Sequence, residues 1–170
     1  MRLAGAVSAP RERWGVSLAR AGGLAALALV TTACASDVPQ ATPQAGGGPY
    51  LAARPAAFEG RVVGAGHCVD FVKAAAGAPH TAAWRPGPPV RGNRHIPPGT
   101  AIATFESDGT YRSEPGNHAA IYLYQDERGI WVYDQWRGRP VHKRLIRFEG
   151  GKGSARGSKS NDGRRFAVIG

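Results

Sequence analysis

Residues 116–136 read GNHAAIYLYQDERGIWVYDQW, two runs rich in aromatic and β-branched residues on either side of a polar turn. This pattern predicts a β-hairpin with His118 at the start of its first strand and Asp134 near the end of its second. In an antiparallel strand pair, the residue numbers of directly opposite residues add up to the same value along the pair. A three-residue connection over 125–127 therefore sets His118 opposite Asp134, with Cβ atoms about 4.5–5.5 Å apart. A bulge at Gly129 would shift this pairing by one residue.

Upstream of the hairpin, the stretch HCVDFVKAAA over 67–76 has apolar residues at helical spacing, and Gly77 and Pro79 supply a stop signal. The pattern predicts a helix that begins at or just before Cys68, directly after a glycine-rich turn. Free N–H groups at a helix start stabilise a thiolate and lower a cysteine pKa from about 8.5 to a range of about 3.5–7.5. Cys68 is therefore a candidate nucleophile, and a buried structural thiol is the alternative interpretation.

The chain beyond residue 98 alternates short apolar runs with polar turns. The strands predicted from these runs are 100–105, 118–124, 130–136, 141–148 and 165–169. An irregular, proline-rich stretch lies between the helix and the first of these strands, and residues 150–164 form a Gly/Ser/basic loop. One helix followed by a meander of antiparallel strands is typical of the α+β class.

The first 34 residues differ in composition from the rest and predict an export signal. Four arginines precede or adjoin a 13-residue apolar run over 21–33, which is the order of a secretory signal peptide. The run is too short to span about 30 Å of hydrocarbon. Thr31 to Cys34 read TTAC, which resembles a bacterial lipobox whose cysteine is lipidated after cleavage. Two alternatives are open: cleavage before Ser36 by ordinary signal peptidase, or an uncleaved anchor.

The region after the export signal divides into a tether and a domain. Residues 35–55 are rich in Ala, Pro, Gly and Gln without any period, which predicts a flexible tether. Residues 56–170 then form the domain. We expect the protein to be exported, as a membrane-anchored lipoprotein facing the periplasm or cell surface, or otherwise as a periplasmic or secreted protein.

Composition excludes several classes of protein. Two cysteines among 170 residues exclude a disulfide-dense scaffold and a zinc site built from thiolates alone. The formal net charge is +10, and residues 1–34 carry four Arg and one Glu, which leaves +7 on the remainder. A basic exported protein suits an anionic surface such as cell wall or lipid headgroups, although a solvated surface explains the charge equally well. Export separates the protein from nucleic acid, which we do not expect as a partner.

Three motifs together resemble the CHAP and NlpC-type papain-like cell-wall amidases. They are Gly66-His67-Cys68 at the helix start, GNHAAIY over 116–122 and VYDQW over 132–136. The resemblance spans roughly residues 58–148 and is closest to the small single-domain amidases that include type VI secretion effectors. It implies a papain-like fold, in which an N-terminal helix carrying the cysteine packs on an antiparallel β-sheet carrying the histidine and the aspartate.

The same resemblance implies roles for these residues. Cys68 would be the nucleophile that attacks an amide of the peptidoglycan stem peptide and forms a thioester. His118 would act as general base and then general acid, and Asp134 would orient it. Neither a metal nor an organic cofactor is implied. The bond that is cleaved and the wall that is attacked, the cell's own or a competitor's, stay open, and an inhibitor or immunity protein of unknown identity is a further candidate partner.

The chain departs from the family pattern at two places. CHAP members often have glutamine directly before the cysteine, where this chain has His67, and the backbone N–H of Cys68 is then the remaining candidate oxyanion donor. CHAP members also have Glu followed two residues later by Asn, whereas Asp134 is followed by Gln135, the fallback partner of His118 if the pairing shifts. The candidate supporting residues are His67, Asn117 and Gln135, and the candidates for a substrate groove are Trp84, Tyr111 and Trp136.

These observations leave competing hypotheses of function. The leading one is an exported cysteine hydrolase that cleaves amide or peptide bonds of bacterial peptidoglycan. The alternative is a catalytically inactive lipoprotein of the same fold that binds cell wall or a protein partner. A disulfide between Cys34 and Cys68 is a third interpretation. A metal site is disfavoured because its adjacent ligands converge poorly; its members would be His67, Cys68, His118 and His142.

Overall fold

The computed structural model describes residues 48–113, 116–149 and 158–170. The predicted export signal, Cys34 and the first part of the predicted tether lie outside these described residues, as do residues 150–157 of the predicted loop. No helix within the described ranges is long and apolar enough to cross a membrane.

The described residues form one α-helix and a six-stranded sheet. The elements are α1 (Cys68–Ala76), β1 (Pro86–Pro89), β2 (Ala101–Thr104), β3 (Ala119–Asp126), β4 (Gly129–Trp136), β5 (Arg139–Arg147) and β6 (Phe166–Ile169), with short 3-10 turns at Pro55–Phe58, Thr81–Ala83, Lys159–Asn161 and Gly163–Arg165. The strand order is β1-β6-β2-β3-β4-β5, and neighbouring strands are antiparallel. The α+β class predicted from the sequence is confirmed.

Helix α1 begins at Cys68 and ends where the sequence predicts. His67 is extended and serves as the N-cap, while Gly77 adopts the left-handed conformation with φ 68° and donates its N–H to the carbonyl of Lys73. Glycine is favoured at this position because it has no Cβ to clash with the backbone. The buried face of the helix carries Phe71, Val72, Ala75 and Ala76. This face packs on β3 and β4, which fixes the helix start, and hence Cys68, near the start of β3.

Both faces of the sheet are covered by apolar side chains. The core on the helix side includes Phe58, Phe71, Trp84, Ile121 and Tyr133. The core on the other side includes Val90, Ile102, Val132, Ile146 and Phe166. Successive strand residues point to opposite faces, so the central strand β2 is buried at all four positions. The short apolar run that predicts this strand is typical of a strand covered on both sides.

The β3–β4 hairpin is present, but its pairing differs from the prediction by two residues. Ile121 lies opposite Tyr133, so Asp134 adjoins Ala120 rather than His118. The connection has two residues, not three, and a bulge between Tyr122 and Tyr124 changes the pairing along the strand. Without this bulge His118 and Asp134 would point to opposite faces; with it they share one face, diagonally rather than directly opposite.

Three segments predicted to be irregular take part in the fold. Residues 50–52 were predicted as tether, yet Leu51 bridges to Thr100 and the Ala52 N–H donates to Gly99, so the folded domain begins before residue 56. The proline-rich stretch contains strand β1 at the sheet edge, a place where a strand tolerates proline. Within the predicted Gly/Ser/basic loop of residues 150–164, Lys159–Asn161 form one 3-10 turn, and a second, Gly163–Arg165, begins there.

Candidate active site

Cys68 is placed by the turn that precedes α1. Gly64 has φ +57°, and a Cβ there would lie 2.8 Å from the Asp70 side chain. The Asp70 carboxylate accepts hydrogen bonds from the backbone N–H groups of Ala65 at 3.0 Å and His67 at 3.4 Å. The turn therefore closes against the first turn of the helix and leaves Cys68 partly exposed at the helix N-terminus.

The same turn is attached to the sheet by Gln135, which is fully buried. Its side-chain oxygen accepts from the Val63 N–H at 3.0 Å, and its amide nitrogen donates to the carbonyls of Val63 and His67, both at 2.8 Å. The structure thus gives Gln135 a supporting position on the backbone before Cys68. It is not the partner of His118, because the pairing places Asp134, and not Gln135, on the same face as His118.

His118 and Asp134 are in contact although they are not directly opposite. The His118 Nε2 lies 2.6 Å from the Asp134 Oδ2, and both side chains are buried. Thr104 fixes the backbone of His118 on the neighbouring strand, since its hydroxyl accepts the His118 N–H at 3.0 Å and its own N–H donates to the His118 carbonyl. With Nε2 bound to the carboxylate, the Nδ1 nitrogen is left for Cys68.

Arg144 on β5 is a member of the site that the sequence prediction missed. Its Nε donates to the same Asp134 Oδ2 at 2.7 Å. His142 lies on the same strand with its Nδ1 3.9 Å from the Asp134 Oδ1, an atom that is buried without a hydrogen-bond partner in the described part of the chain. The sequence carries no signal for this role, because β5 has basic residues on both of its faces.

Burial and charge in this cluster shift the pKa values of Cys68, His118 and Asp134. Burial raises the pKa of the Cys68 thiol, but hydrogen bonding and charge interaction with His118 outweigh burial and hold that pKa below its usual value. Burial lowers the pKa of His118, but Asp134 and Cys68 outweigh it and raise the pKa to about 9. Burial raises the pKa of Asp134, whereas His118 and Arg144 bring it below the ordinary value. Relative to the isolated groups, these shifts favour the thiolate of Cys68, the imidazolium of His118 and the carboxylate of Asp134.

Tyr111 approaches the thiol from the core. Its hydroxyl lies 3.7 Å from the Cys68 Sγ, and its ring packs edge-on against Trp84 with ring centroids 4.9 Å apart. Burial and the neighbouring Cys68 raise the pKa of Tyr111 far above its usual value, so its hydroxyl keeps its proton. Tyr111 is 8% exposed and contacts the thiol instead of lining an open groove.

The other predicted residues occupy different places. Trp84 is fully buried and donates its indole N–H to the Pro79 carbonyl, so the prediction that it lines a groove is wrong. Trp136 is 41% exposed, with its ring centroid 6.5 Å from that of His118. The side chain of His67 is exposed. Asn117 bonds to Thr104, Glu106 and the Arg112 carbonyl, and so holds the loop before His118.

This arrangement has the groups required for nucleophilic attack by a thiolate. A cysteine beside a histidine, which is in turn oriented by a carboxylate, can form and then resolve a covalent acyl intermediate. Within the described residues no group of three or more His, Cys, Asp and Glu side chains could hold a metal ion.

Comparison with known proteins identifies the family. The family described as "Domesticated amidase effector 2" matches residues 41–169. The chain belongs to the domesticated amidase effector 2 family. The predicted resemblance to the papain-like amidases that include type VI secretion effectors is therefore confirmed.

The chain also has relatives in two organisms. It is 40% identical over 105 residues to a type VI secretion amidase effector 2 protein of Salmonella typhi. The matched region covers 58% of this chain and 79% of the relative. It is 42% identical over 105 residues to a domesticated amidase effector 2 of Ixodes scapularis, covering 55% of this chain and 69% of the relative. A solved structure of type 6 secretion amidase effector 2 is 35% identical, with a TM-score of 0.61 over 71% of this chain and 93% of that one.

Proposed function

We propose that this amidase is an exported cysteine hydrolase that cleaves an amide bond in the peptide part of bacterial peptidoglycan. The observation that carries the proposal is the Cys68 thiol beside His118, whose other ring nitrogen lies 2.6 Å from Asp134. Membership in a family of amidase effectors supports the same reaction class.

The proposed reaction begins with the Cys68 thiolate, which attacks the carbonyl carbon of the amide. The His118 imidazolium then donates its Nδ1 proton to the leaving amine, and the enzyme is left with a thioester. His118, now neutral, accepts a proton from water, the resulting hydroxide equivalent attacks the thioester, and the acid and the thiolate are released. Asp134 holds the imidazole in one orientation throughout and stabilises its charged form.

The oxyanion formed in each step needs donors close to Cys68. The backbone N–H of Cys68 belongs to the first turn of α1, where N–H groups have no partner within the helix. His67 does not replace the glutamine of related enzymes in our proposal, because its side chain is exposed. The Tyr111 hydroxyl stays protonated and lies 3.7 Å from the sulfur, so it supports the thiolate as a donor.

The substrate surface is proposed from exposure and charge. Trp136 is the exposed aromatic residue next to His118, and Arg137 and Arg139 follow it in an exposed turn. Stem peptides of peptidoglycan carry carboxylates, so a basic rim beside the site complements them. The groove prediction for Trp136 therefore stays a proposal.

The test is digestion of purified peptidoglycan sacculi by the full chain, with released fragments identified by mass. The wild-type protein should release soluble peptide-bearing fragments, and Cys68→Ala should release none. Cys34→Ala is the matched control, because it removes the other thiol and should leave the release unchanged. Intact sacculi that bind the wild-type protein tightly would instead support an inactive wall-binding lipoprotein and overturn the proposal.

Export and lipidation are separate proposals that depend on residues 1–34. The arginine-rich start, the apolar run over 21–33 and Cys34 support them. Labelled palmitate should enter the wild-type protein in a bacterial membrane fraction, and Cys34→Ala should abolish the label. Label-free wild-type protein in the soluble fraction outside the cytoplasm would exclude lipidation and leave simple secretion.

A further inference from the structure

Arg144 binds the Asp134 carboxylate, which in turn contacts His118. Neither the family motifs nor the proposed reaction assigns Arg144 a role. We propose that Arg144 is a positioning residue of the active site, which fixes the Asp134 carboxylate toward His118 and is itself held by the segment Ser158–Asn161. This inference rests on the proposed function, since it concerns the same site.

The contacts of Arg144 fix its guanidinium on three sides. Its Nε donates to Asp134 Oδ2 at 2.7 Å, its Nη1 to the Asn161 Oδ1 at 3.1 Å, and its Nη2 to the Ser160 carbonyl at 3.4 Å. The Trp136 ring covers the guanidinium at 5.1 Å. A planar guanidinium with several directed donors holds one geometry better than a lysine ammonium does. Arg144 is therefore placed to hold Asp134 rather than to bind solvent or substrate.

The held segment also reaches the loop that leads into His118. Lys159 pairs with Glu106 at 2.6 Å, and the Ser160 N–H donates to the Gly116 carbonyl at 2.9 Å. Glu106 in turn accepts from Asn117, the residue before His118. One short segment thus braces both the approach to His118 and the arginine that binds Asp134.

The charges around His118 predict how Arg144 acts. His118 faces Cys68 on α1 and Asp134 on β4, with Tyr111 beside the thiol and Arg144 and His142 on β5 beside the carboxylate. Arg144 and His118 both bind the Asp134 carboxylate. The positive charge of Arg144 therefore disfavours a positive charge on the His118 imidazole. Removing that charge should therefore raise the pKa of His118 above about 9.

The experiment compares Arg144→Gln and Arg144→Lys with wild type, and Arg147→Gln is the matched control. Arg147 lies on the same strand, is exposed, and makes no side-chain hydrogen bond or ion pair within the described ranges. We expect kcat on peptidoglycan fragments to fall about 10- to 100-fold in Arg144→Gln, by analogy with the loss of hydrogen-bond partners that orient metal-ligating side chains. KM should change little, and the alkaline limb of the kcat profile should move to higher pH. Arg144→Lys should keep the limb in place but lose kcat, and the control should behave as wild type.

Asn161→Ala keeps the charge of Arg144 and removes one of its hydrogen bonds. This variant tests the proposal if Arg144→Gln does not fold. It should lower kcat by a smaller factor without moving the alkaline limb. An NMR titration of the His118 imidazole measures the predicted rise in its pKa and does not require enzymatic activity. Failure of the proposed function is therefore distinguishable from failure of this inference. Folded Arg144 variants with unchanged kcat and an unchanged His118 titration would overturn it.

Discussion

The turn that carries Cys68 and the strand end that carries His118 are held in different ways. The turn has an irregular backbone, and its N–H and carbonyl groups are bonded by two side chains, Asp70 and Gln135. His118 and Asp134 instead lie on paired strands and are almost completely buried. The nucleophile is thus left accessible to a substrate, while the group that activates it is shielded from water.

The comparison also shows that one strand end serves both regions. Asp134 and Gln135 are consecutive in β4, and successive strand residues point to opposite faces. Asp134 bonds to His118 on one side, and Gln135 bonds to the backbone of 63–67 on the other. The end of β4 therefore contacts both the histidine and the turn before Cys68, and each contact can be disturbed separately.

Replacing His118 should have the largest effect. In His118→Ala the thiolate loses its ion-pair partner and the leaving amine loses its acid, so kcat/KM should fall about 10³-fold. The measurement is steady-state hydrolysis of peptidoglycan fragments by the folded variant. His142→Ala is the matched control: it removes a histidine that is also near Asp134 but outside the proposed proton path. Equal losses in the two variants would contradict the role of His118.

Loss of Gln135 should disturb the turn and leave the histidine side intact. Gln135→Ala removes three half-buried hydrogen bonds to backbone, which should lower the free energy of unfolding by about 2–4 kcal/mol. Activity of the folded fraction should also fall, because the turn before Cys68 is loosened. Denaturant unfolding and kcat report the two effects.

Gln125 provides the control for this prediction. It makes the same kind of bonds to the backbone of 90–93, far from the site. Gln125→Ala should cost comparable stability while the activity of the folded protein stays near wild type. If both glutamine variants keep full activity when folded, Gln135 does not position Cys68.

A smaller effect is expected at Gly64, where the turn meets α1. Gly64→Ala introduces strain at φ +57° and a collision with the Asp70 side chain, so it should cost about 1–3 kcal/mol of stability and lower kcat. Gly60→Ala is matched in strain, at φ +78°, but meets no atom within 4 Å. It should cost about 1 kcal/mol and leave kcat unchanged, and thermal unfolding with kinetics distinguishes the two.

The sequence predicts those features that depend on local pattern. The start of α1 follows from the glycine turn and the apolar spacing, and Gly77 marks its end. The hairpin is predicted by its alternation, but its pairing is not, because the bulge at residues 122–124 depends on packing across both faces of the sheet. His118 and Asp134 were still brought together correctly, since an error of two residues preserves the face.

The features that the sequence does not predict depend on distant partners. Trp84 lies in a proline-rich stretch that is typical of exposed loops, yet its indole is held by Pro79 and packed in the core. Strand β1 forms only because β6, eighty residues later, offers an edge. Arg144 looks like one of several basic residues on a solvated strand until its pairing places it against Asp134.

The central claim is that His118 activates Cys68, and the pH dependence of Cys68 alkylation by iodoacetamide tests it most directly. The Cys34→Ala protein and the same protein with His118→Ala are compared, so that one thiol is followed. With His118 present, the thiolate is stabilised, so alkylation should titrate below the usual thiol pKa of about 8.5. Activity should be lost as the pH falls through the pKa of Cys68, and again as the pH rises through the His118 pKa of about 9. Without His118, burial is opposed only by the hydrogen bonds of Cys68 to Ala119 and Tyr111, so the titration should move to higher pH. The same alkylation profile in both proteins, with an ordinary thiol pKa, would contradict the account.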